Sequence, residues 1–275
     1  MNAVAAEQYR ELELAQVRAM SGSEKFWGWV QAAGLNGHQM YVAGSDDMIA
    51  LRFHHGHDYE PTTRKLWRQI CRNAAIAIDV GTHSGIFSLD AYKAGAKMVM
   101  SVEPHPINYA RLVMNLRKNG YGAQGVFLGA AGKENHVRML EAREVVLCHA
   151  AGYVGEHKEG WYELPVRVAR LDDLLPQVKW ADVAAVKIDA ENLTPDVLLG
   201  MPAILEHRPD LIIECVDDGM GANLRSLGYR FWRIWEHGLI EEVDDLIPHN
   251  PDGNYNGTDE NCRNRFASAK GLPNG

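Results

Sequence analysis

Nowhere in this chain does an apolar run reach about 18 residues, the length a membrane-spanning helix needs. The opening residues, Met1 to Gln8, carry no basic cluster ahead of an apolar stretch. Neither a membrane span nor a secretory leader is therefore expected, and a cytoplasmic location is. Closely spaced cysteines are missing as well. Cys71, Cys148, Cys215 and Cys262 lie far apart with no Cys-x-x-Cys, the pattern of reduced, mostly buried thiols. Basic charge is in deficit: 28 Lys and Arg face 36 Asp and Glu, a formal charge of −8. That balance disfavours nucleic acid or an anionic membrane as the partner. Gly-x-Gly-x-x-Gly is absent after the first apolar strand, and so is a phosphate loop ending in Gly-Lys-Ser/Thr. There is no internal repeat and no low-complexity linker.

What the chain does have is centred on Ala75-Ile-Ala-Ile-Asp-Val-Gly-Thr-His-Ser-Gly-Ile-Phe-Ser-Leu89. A short apolar run reads as a strand buried on both faces of a parallel sheet. Gly81 and Gly85 bracket a turn, and Ile86 begins a helix. Strand, glycine turn and helix together make a cradle in which a ligand approaches helix N–H groups closely. A second apolar run, Met98 to Val102, ends in Glu103-Pro104, and this acid lies 24 positions after Asp79. In such sheets an acid there can take both hydroxyls of a ribose.

From residue 75 strands and helices alternate, which predicts a mostly parallel α/β sheet. Val126-Phe-Leu, Val183 to Ile188, Leu211-Ile-Ile213 and Tyr229 to Ile234 are the following strands, and Arg265 to Ala269 is an antiparallel last one. Short strands are also expected at Val145 to Cys148 and Leu164 to Val168. Upstream, the patterns predict helices over 4–20 and about 24–33, strands at Met40 to Val42 and Met48 to Phe53, and a helix opening at Asp58-Tyr-Glu60-Pro61. The division expected is an N-terminal helical and short-strand extension over 1–57 and a main domain over 58–275. The extension is expected to cap the pocket or to meet a partner chain.

Four strands end in acids, Asp79, Glu103, Asp189 and Glu214. Because ligands of open α/β folds bind at the carboxyl edge of the sheet, these acids are expected to converge on one crevice. Asp79-Val-Gly-x-x-x-Gly followed by Val102-Glu-Pro resembles the S-adenosylmethionine pocket of a class I methyltransferase. The longer succession Glu60-Pro, Asp79-Val-Gly-x-x-x-Gly, Val102-Glu-Pro-x-Pro, Leu171-Asp-Asp-Leu-Leu, Val186-Lys-Ile-Asp-Ala-Glu191 and Pro209-Asp-Leu-Ile-Ile-Glu214 resembles the FkbM-type methyltransferase family over roughly residues 58–240.

That resemblance implies a Rossmann-like, doubly wound sheet and S-adenosylmethionine-dependent methylation, commonly of a hydroxyl on a sugar, polyketide or other small metabolite. Cofactor roles carry over onto Asp79, Gly81, Gly85 and Glu103, and Glu60 matches the acid that closes over the methionine end. The turn adds Thr82, His83 and Ser84 to the candidate cofactor contacts, and the neighbouring segments add Pro104, Asn108 and Ala130. The chain departs from the family pattern after Lys187-Ile-Asp-Ala-Glu, where Asn192 replaces a glycine and Thr194 an acid. This departure bears on the acceptor side of the site.

The catalytic candidates are Asp189 or Glu191 as general base, with Lys187 balancing their charge. The alternative is a magnesium ion held by Asp189 and Glu214. The metal-free account comes first, because relief by Lys187 needs no extra component. Two rival functions are a nicotinamide-dependent oxidoreductase, opposed by the missing glycine fingerprint, and a non-catalytic protein of the same fold that binds the cofactor. The expected partner is a small-molecule or sugar acceptor, and a homo-oligomer is left open.

Three further patterns carry less. Asp252-Gly-Asn254-Tyr-Asn256-Gly257 opens like a calcium loop, but its twelfth position is Arg263 where a bidentate Glu is required. Asn192-Leu-Thr194 and Asn256-Gly-Thr258 fit a glycosylation triplet without a leader to make it meaningful. His54, His55 and His57 are close in sequence, yet the carboxylate-rich strand ends are the better metal candidate.

Overall fold

The computed structural model describes residues 26–44, 47–143, 161–174, 179–190, 193–214, 218–244, 246 and 264–273. The helix expected over 4–20, the strand at Val145 to Cys148, the calcium-like loop, Glu191, Asn192, Cys148, Cys215 and Cys262 lie outside these residues.

In chain order the elements are β1 (Phe26–Gln31), β2 (Gln39–Gly44), α1 (Met48–His54), α2 (Pro61–Ile70), β3 (Ile76–Val80), α3 (Ile86–Lys93), β4 (Met98–Glu103) and α4 (Pro106–Lys118). There follow β5 (Val126–Leu128), β6 (Ala130–Ala131), β7 (His136–Arg143), β8 (Trp161–Ala169), α5 (Leu171–Leu174) and β9 (Val183–Ile188). The last are α6 (Thr194–Leu199), α7 (Pro202–Glu206), β10 (Asp210–Ile213), α8 (Asp218–Ser226), β11 (Arg230–Ile234), β12 (Ile240–Val243) and β13 (Arg265–Ser268).

Eight strands form the main sheet in the order β12-β11-β13-β10-β9-β3-β4-β5. The five from β10 to β5 are parallel, and β13 inserts antiparallel between β10 and β11. This is the expected Rossmann-like architecture with an antiparallel margin. Strand order reverses between β3 and β9, so the crevice for a ligand opens at their carboxyl ends. Every residue of β3 is buried, because helices cover both faces and a continuous apolar run suits that position.

Two expectations fail near the N-terminus. Residues 26–31 form a strand rather than a helix, pairing antiparallel with β2 from Phe26↔Gly44 to Gln31↔Gln39. Phe26, Trp27, Trp29 and Val30 favour a pleated strand, and a partner within reach decides the outcome. Residues 48–54 form a helix rather than a strand. The Asp47 carboxylate accepts the N–H groups of Ile49 and Ala50, both at 3.0 Å, and this cap starts α1. The strand at Leu164 to Val168 is part of the longer β8, and β12 was not foreseen.

The β1–β2 hairpin packs with α2 and α3 on one face of the sheet: Val30, Leu35, Met40 and Val42 share a core with Trp67, Phe87 and Leu112. The other face buries Ile78, Val80, Val102 and Ile188 beneath α6 and α7. Arg64 bonds Asp90 at 2.7 Å and locks α2 against α3. A small second sheet, β6-β8-β7, projects beside the carboxyl edge. Its long antiparallel pair, β7 and β8, is called the arm below. Among the described residues no helix is long and apolar enough to cross a membrane.

Gly81 is fixed at the key turn by its backbone and by the chain packed against it. Its φ is +76°, and a Cβ would sit 1.7 Å from the carbonyl oxygen of Asp189. The glycine is thus required by the approach of β9 to β3, before any ligand is considered. Gly81→Ala is expected to lose at least about 2 kcal/mol of stability, combining a left-handed backbone with an overlap. Gly56 is also left-handed at +79° but meets nothing within 4 Å among the described residues, so Gly56→Ala is expected to lose only about 1 kcal/mol. Urea titration of both variants checks this, and equal losses would refute the overlap argument.

Candidate active site

Backbone bonds first fix the edge on which the site is built. Gly81 and Thr82 donate to the Val102 carbonyl at 2.9 and 3.2 Å, Gly85 donates to Thr82 at 2.8 Å, and Asp189 donates to Val80 at 3.0 Å. The turn is therefore tied to β4 on one side and to β9 on the other. Asn115 of α4 donates from its side chain to the Ser84 carbonyl at 2.8 Å and accepts the Tyr41 N–H at 2.9 Å. The N-terminal hairpin thus braces the turn from the face of the sheet opposite the arm.

Glu103 lies beneath this turn, 3% exposed. One carboxyl oxygen accepts the N–H of His83 and the other that of His105, each at 2.8 Å. Burial raises its pKa to about 8, against the opposing pull of these two N–H groups and of Asn108. Asp79 is deeper, fully enclosed within β3, and accepts from the Ser88 hydroxyl at 2.7 Å. Burial raises it to about 6, with Lys187 and Ser88 opposing. Among the described residues four buried polar atoms nearby have no hydrogen-bond partner: Asp79 Oδ1, Thr82 Oγ1, His105 Nδ1 and Asn108 Oδ1. Unmatched polar atoms cost about 1–3 kcal/mol each, and a cluster of them at a strand edge suits a polar ligand.

A second group gathers where β9 and β10 end. The Lys187 ammonium is 1% exposed, 3.1 Å from Asp189 and 4.4 Å above the Phe87 ring. Burial alone would lower its pKa. Asp189, Glu60, Asp79 and Glu214 outweigh that and hold it above the ordinary lysine value. Tyr59 bonds Glu60, and burial together with Glu60, Asp189 and Glu214 pushes its phenol well up. Glu60 itself sits left-handed at φ +43° ahead of α2 and accepts from Asn264 at 2.9 Å. Asp189, with 22% of its side chain exposed, is the open member beside the buried lysine.

Between these groups is a pocket that reaches from the sheet edge to the arm. Gly81, Val102, Pro104 and Ala130 line it on the sheet side. Leu140, Val166, Val168 and Arg138 line it from the arm, and Ala190 and Leu193 from beyond β9. His105 Nε2 lies 3.1 Å from the Tyr162 hydroxyl and links the arm to the segment after Glu103.

This edge is what a family model matches. The FkbM methyltransferase domain spans residues 79–231. The chain belongs to the FkbM methyltransferase domain family. No curated protein sequence matches it. Among solved structures it is similar to TYW2 of M. jannaschii in complex with AdoMet, at 11% identity and TM-score 0.44, covering 90% of this chain and 85% of that one. A precorrin-6y C5,15-methyltransferase from Geobacter metallireducens matches at 12% and 0.39 over 74% and 87%. An rRNA methylase from Streptococcus thermophilus matches at 10% and 0.40 over 74% and 91%. At such loose agreement the family model, and not these structures, carries the assignment.

Of the family residues foreseen in the sequence, Thr82, His83, Ser84 and Gly85 form the turn, with Glu103, Pro104 and Asn108 beside it. Gly81, Pro104 and Ala130 reach the pocket, while Asp79 is enclosed below. Lys187, Asp189, Glu60 and Glu214 make the second group. Sequence reasoning missed Tyr59, Asn264, Glu236, Arg138 and the His105–Tyr162 contact. Asn264 is 204 positions from Glu60, and no local pattern signals such a pairing. Among the described residues no group of three or more His, Cys, Asp or Glu is placed to hold a metal. His54 instead stacks on Phe26 at 4.1 Å.

Glu236 supports this site from outside. Its carboxylate accepts the N–H groups of Thr62 at 2.9 Å and Thr63 at 3.3 Å, together with the Thr63 hydroxyl, and so caps α2 just after Glu60. Burial, then repulsion from Glu60, raises its pKa to about 8. A carboxyl raised in the folded state favours folding fully below its unfolded pKa, and that contribution is lost as pH rises toward the folded value. Wild-type stability is therefore expected to fall between about pH 4.5 and pH 8, at up to about 1.4 kcal/mol per pH unit for each such proton. Glu236→Gln should flatten part of this slope in urea titrations at stepped pH. An unchanged slope would refute the assignment.

Proposed function

We propose that the protein transfers the methyl group of S-adenosylmethionine to a hydroxyl of a small metabolite or sugar. The observation that carries the cofactor half is the set of buried, unmatched polar atoms beside Glu103, under a turn bridged to both neighbouring strands. Glu103 would hold the ribose hydroxyls, since each of its oxygens keeps a lone pair beyond the N–H bond it accepts. Asn108, His105 and Thr82 would supply partners to polar atoms of the nucleoside, and Pro104 and Ala130 its apolar walls. Glu60 and Asp189, both acidic, suit the cationic methionine end. Bound there, S-adenosylmethionine supplies an electrophilic methyl on a cationic sulfur.

For the acceptor, Asp189 is the reading's general base. It is the part-exposed carboxylate of the second group, 3.1 Å from the Lys187 ammonium, which favours its charged form. It receives the proton of the acceptor hydroxyl as that oxygen gains the methyl. Glu191 is the second candidate base and lies outside the described residues. Proximity and alignment in the pocket below the arm supply much of the rate. The turn after β3 contains no dinucleotide fingerprint, which disfavours the nicotinamide reading.

Calorimetry with S-adenosylhomocysteine tests the cofactor half. Glu103→Ala should bind about tenfold more weakly or worse, as loss of charge-assisted bonds to two hydroxyls implies. Wild-type affinity should also rise from pH 6 toward pH 8.5, because hydroxyl donors prefer the ionised carboxylate. A pH-independent wild type, or an unaffected Glu103→Ala, would refute the pocket assignment.

Transfer of labelled methyl into a mixed panel of sugars and hydroxylated metabolites tests the chemical half. Activity should survive exhaustive chelation and fall at least about a hundredfold in Asp189→Asn, the low end for a general base. Activity lost to chelator and restored by magnesium would overturn the metal-free base. Tight cofactor binding without transfer to any acceptor would favour a non-catalytic binding protein.

A further inference from the structure

Among the described residues the arm places one cation against a pocket lined otherwise by uncharged side chains. Along the two strands Arg138 pairs with Val166 and Leu140 with Leu164, so these four side chains share a face. Leu140, Val166 and Val168 on that face are buried, and together with Arg138 they line the pocket. Arg138 is half-buried, and it is the one charged side chain among the described residues that line the pocket. Among the described residues its guanidinium makes no ion pair and no hydrogen bond. An arginine drawn partly out of water without a partner is costly, and a bidentate anion offsets that cost.

We propose that the acceptor is an amphipathic anion: an apolar body against Leu140, Val166 and Val168, with a carboxylate, phosphate or sulfate held by Arg138. The inference rests on the methyltransferase reading, because it assigns the arm side of the pocket to the acceptor and the sheet side to the cofactor. Two features separate the sides. The cofactor contacts proposed above come from the main sheet's edge, its turns and the segments beside it (Glu60, Asn108 and Ala130), whereas Arg138 comes from the long hairpin that projects beyond that edge. The second group at the edge is mostly acidic, with Glu60, Asp189 and Glu214 around Lys187, which suits the cationic methionine end. An anionic acceptor would be repelled there and steered toward Arg138 instead. Attraction at one end and repulsion at the other would orient the acceptor with its hydroxyl toward Asp189.

Two probes isolate the charge. 8-Anilinonaphthalene-1-sulfonate and N-phenyl-1-naphthylamine share one ring system and differ in a sulfonate. Titrated into protein saturated with S-adenosylhomocysteine, the sulfonate should bind about tenfold more tightly than the neutral dye, as one charge-assisted contact implies. Arg138→Gln should remove that preference while leaving affinity for the neutral dye and for S-adenosylhomocysteine unchanged, and Arg138→Lys should keep part of it. Equal weakening of both dyes would make the arginine an apolar wall and overturn the proposal. Weakened S-adenosylhomocysteine binding would assign the arginine to the cofactor and also overturn it. If the wild type binds no S-adenosylhomocysteine, the methyltransferase reading fails on its own. The dye comparison on the free protein then still decides whether Arg138 selects an anion.

Discussion

The buried ammonium of Lys187 allows acids to gather at one edge of the sheet. Asp189, Glu60, Asp79 and Glu214 all raise its pKa against the opposing effect of burial. Unpaired carboxylates out of water either take up protons or repel one another. Asp79 already sits near 6 while the lysine is present. With the cation between β3 and β10, in register with Asp79 and Ile212, the acids are held close together. The aromatic face of Phe87 at 4.4 Å adds to the restraint on the ammonium.

From this constraint follows a division of labour between the two ends of the crevice. At the β4 end, Glu103 is fixed by two backbone N–H groups and lifted to about 8 by burial, so its orientation is set before any ligand arrives. At the β9 end, Asp189 stays partly open, 3.1 Å from the Lys187 ammonium. In the function proposed here one carboxyl would bind and the other would take a proton, and their surroundings differ accordingly. The same packing explains Gly81: a side chain there would push apart the two strands on which both carboxyls depend. The arm closes the third side with an apolar face and one guanidinium among the described residues.

The parallel core was legible because buried strands read as continuous apolar runs. Ile76 to Val80, Met98 to Val102 and Val183 to Ile188 needed no long-range information. The hairpin at Phe26 and the helix at Met48 were misread for opposite reasons. The first became a strand because Gln39–Gly44 lay within reach to pair with it. The second became a helix because the Asp47 carboxylate caps it. Short segments with mixed propensity are decided by their partners.

The order of motifs from Glu60 to Glu214 by itself determined the family, the cofactor class and the strand ends at which acids collect, since each motif is local. Only the tertiary structure decided which acids touch. It drew Glu236 to the start of α2 and Asn264 to Glu60 across about 170 and 200 residues respectively. It also enclosed Asp79 and left Asp189 open, and it turned Arg138 into the pocket. These are matters of burial and relative placement. A linear pattern records which groups are present, but their charge and reach depend on what folding packs around them.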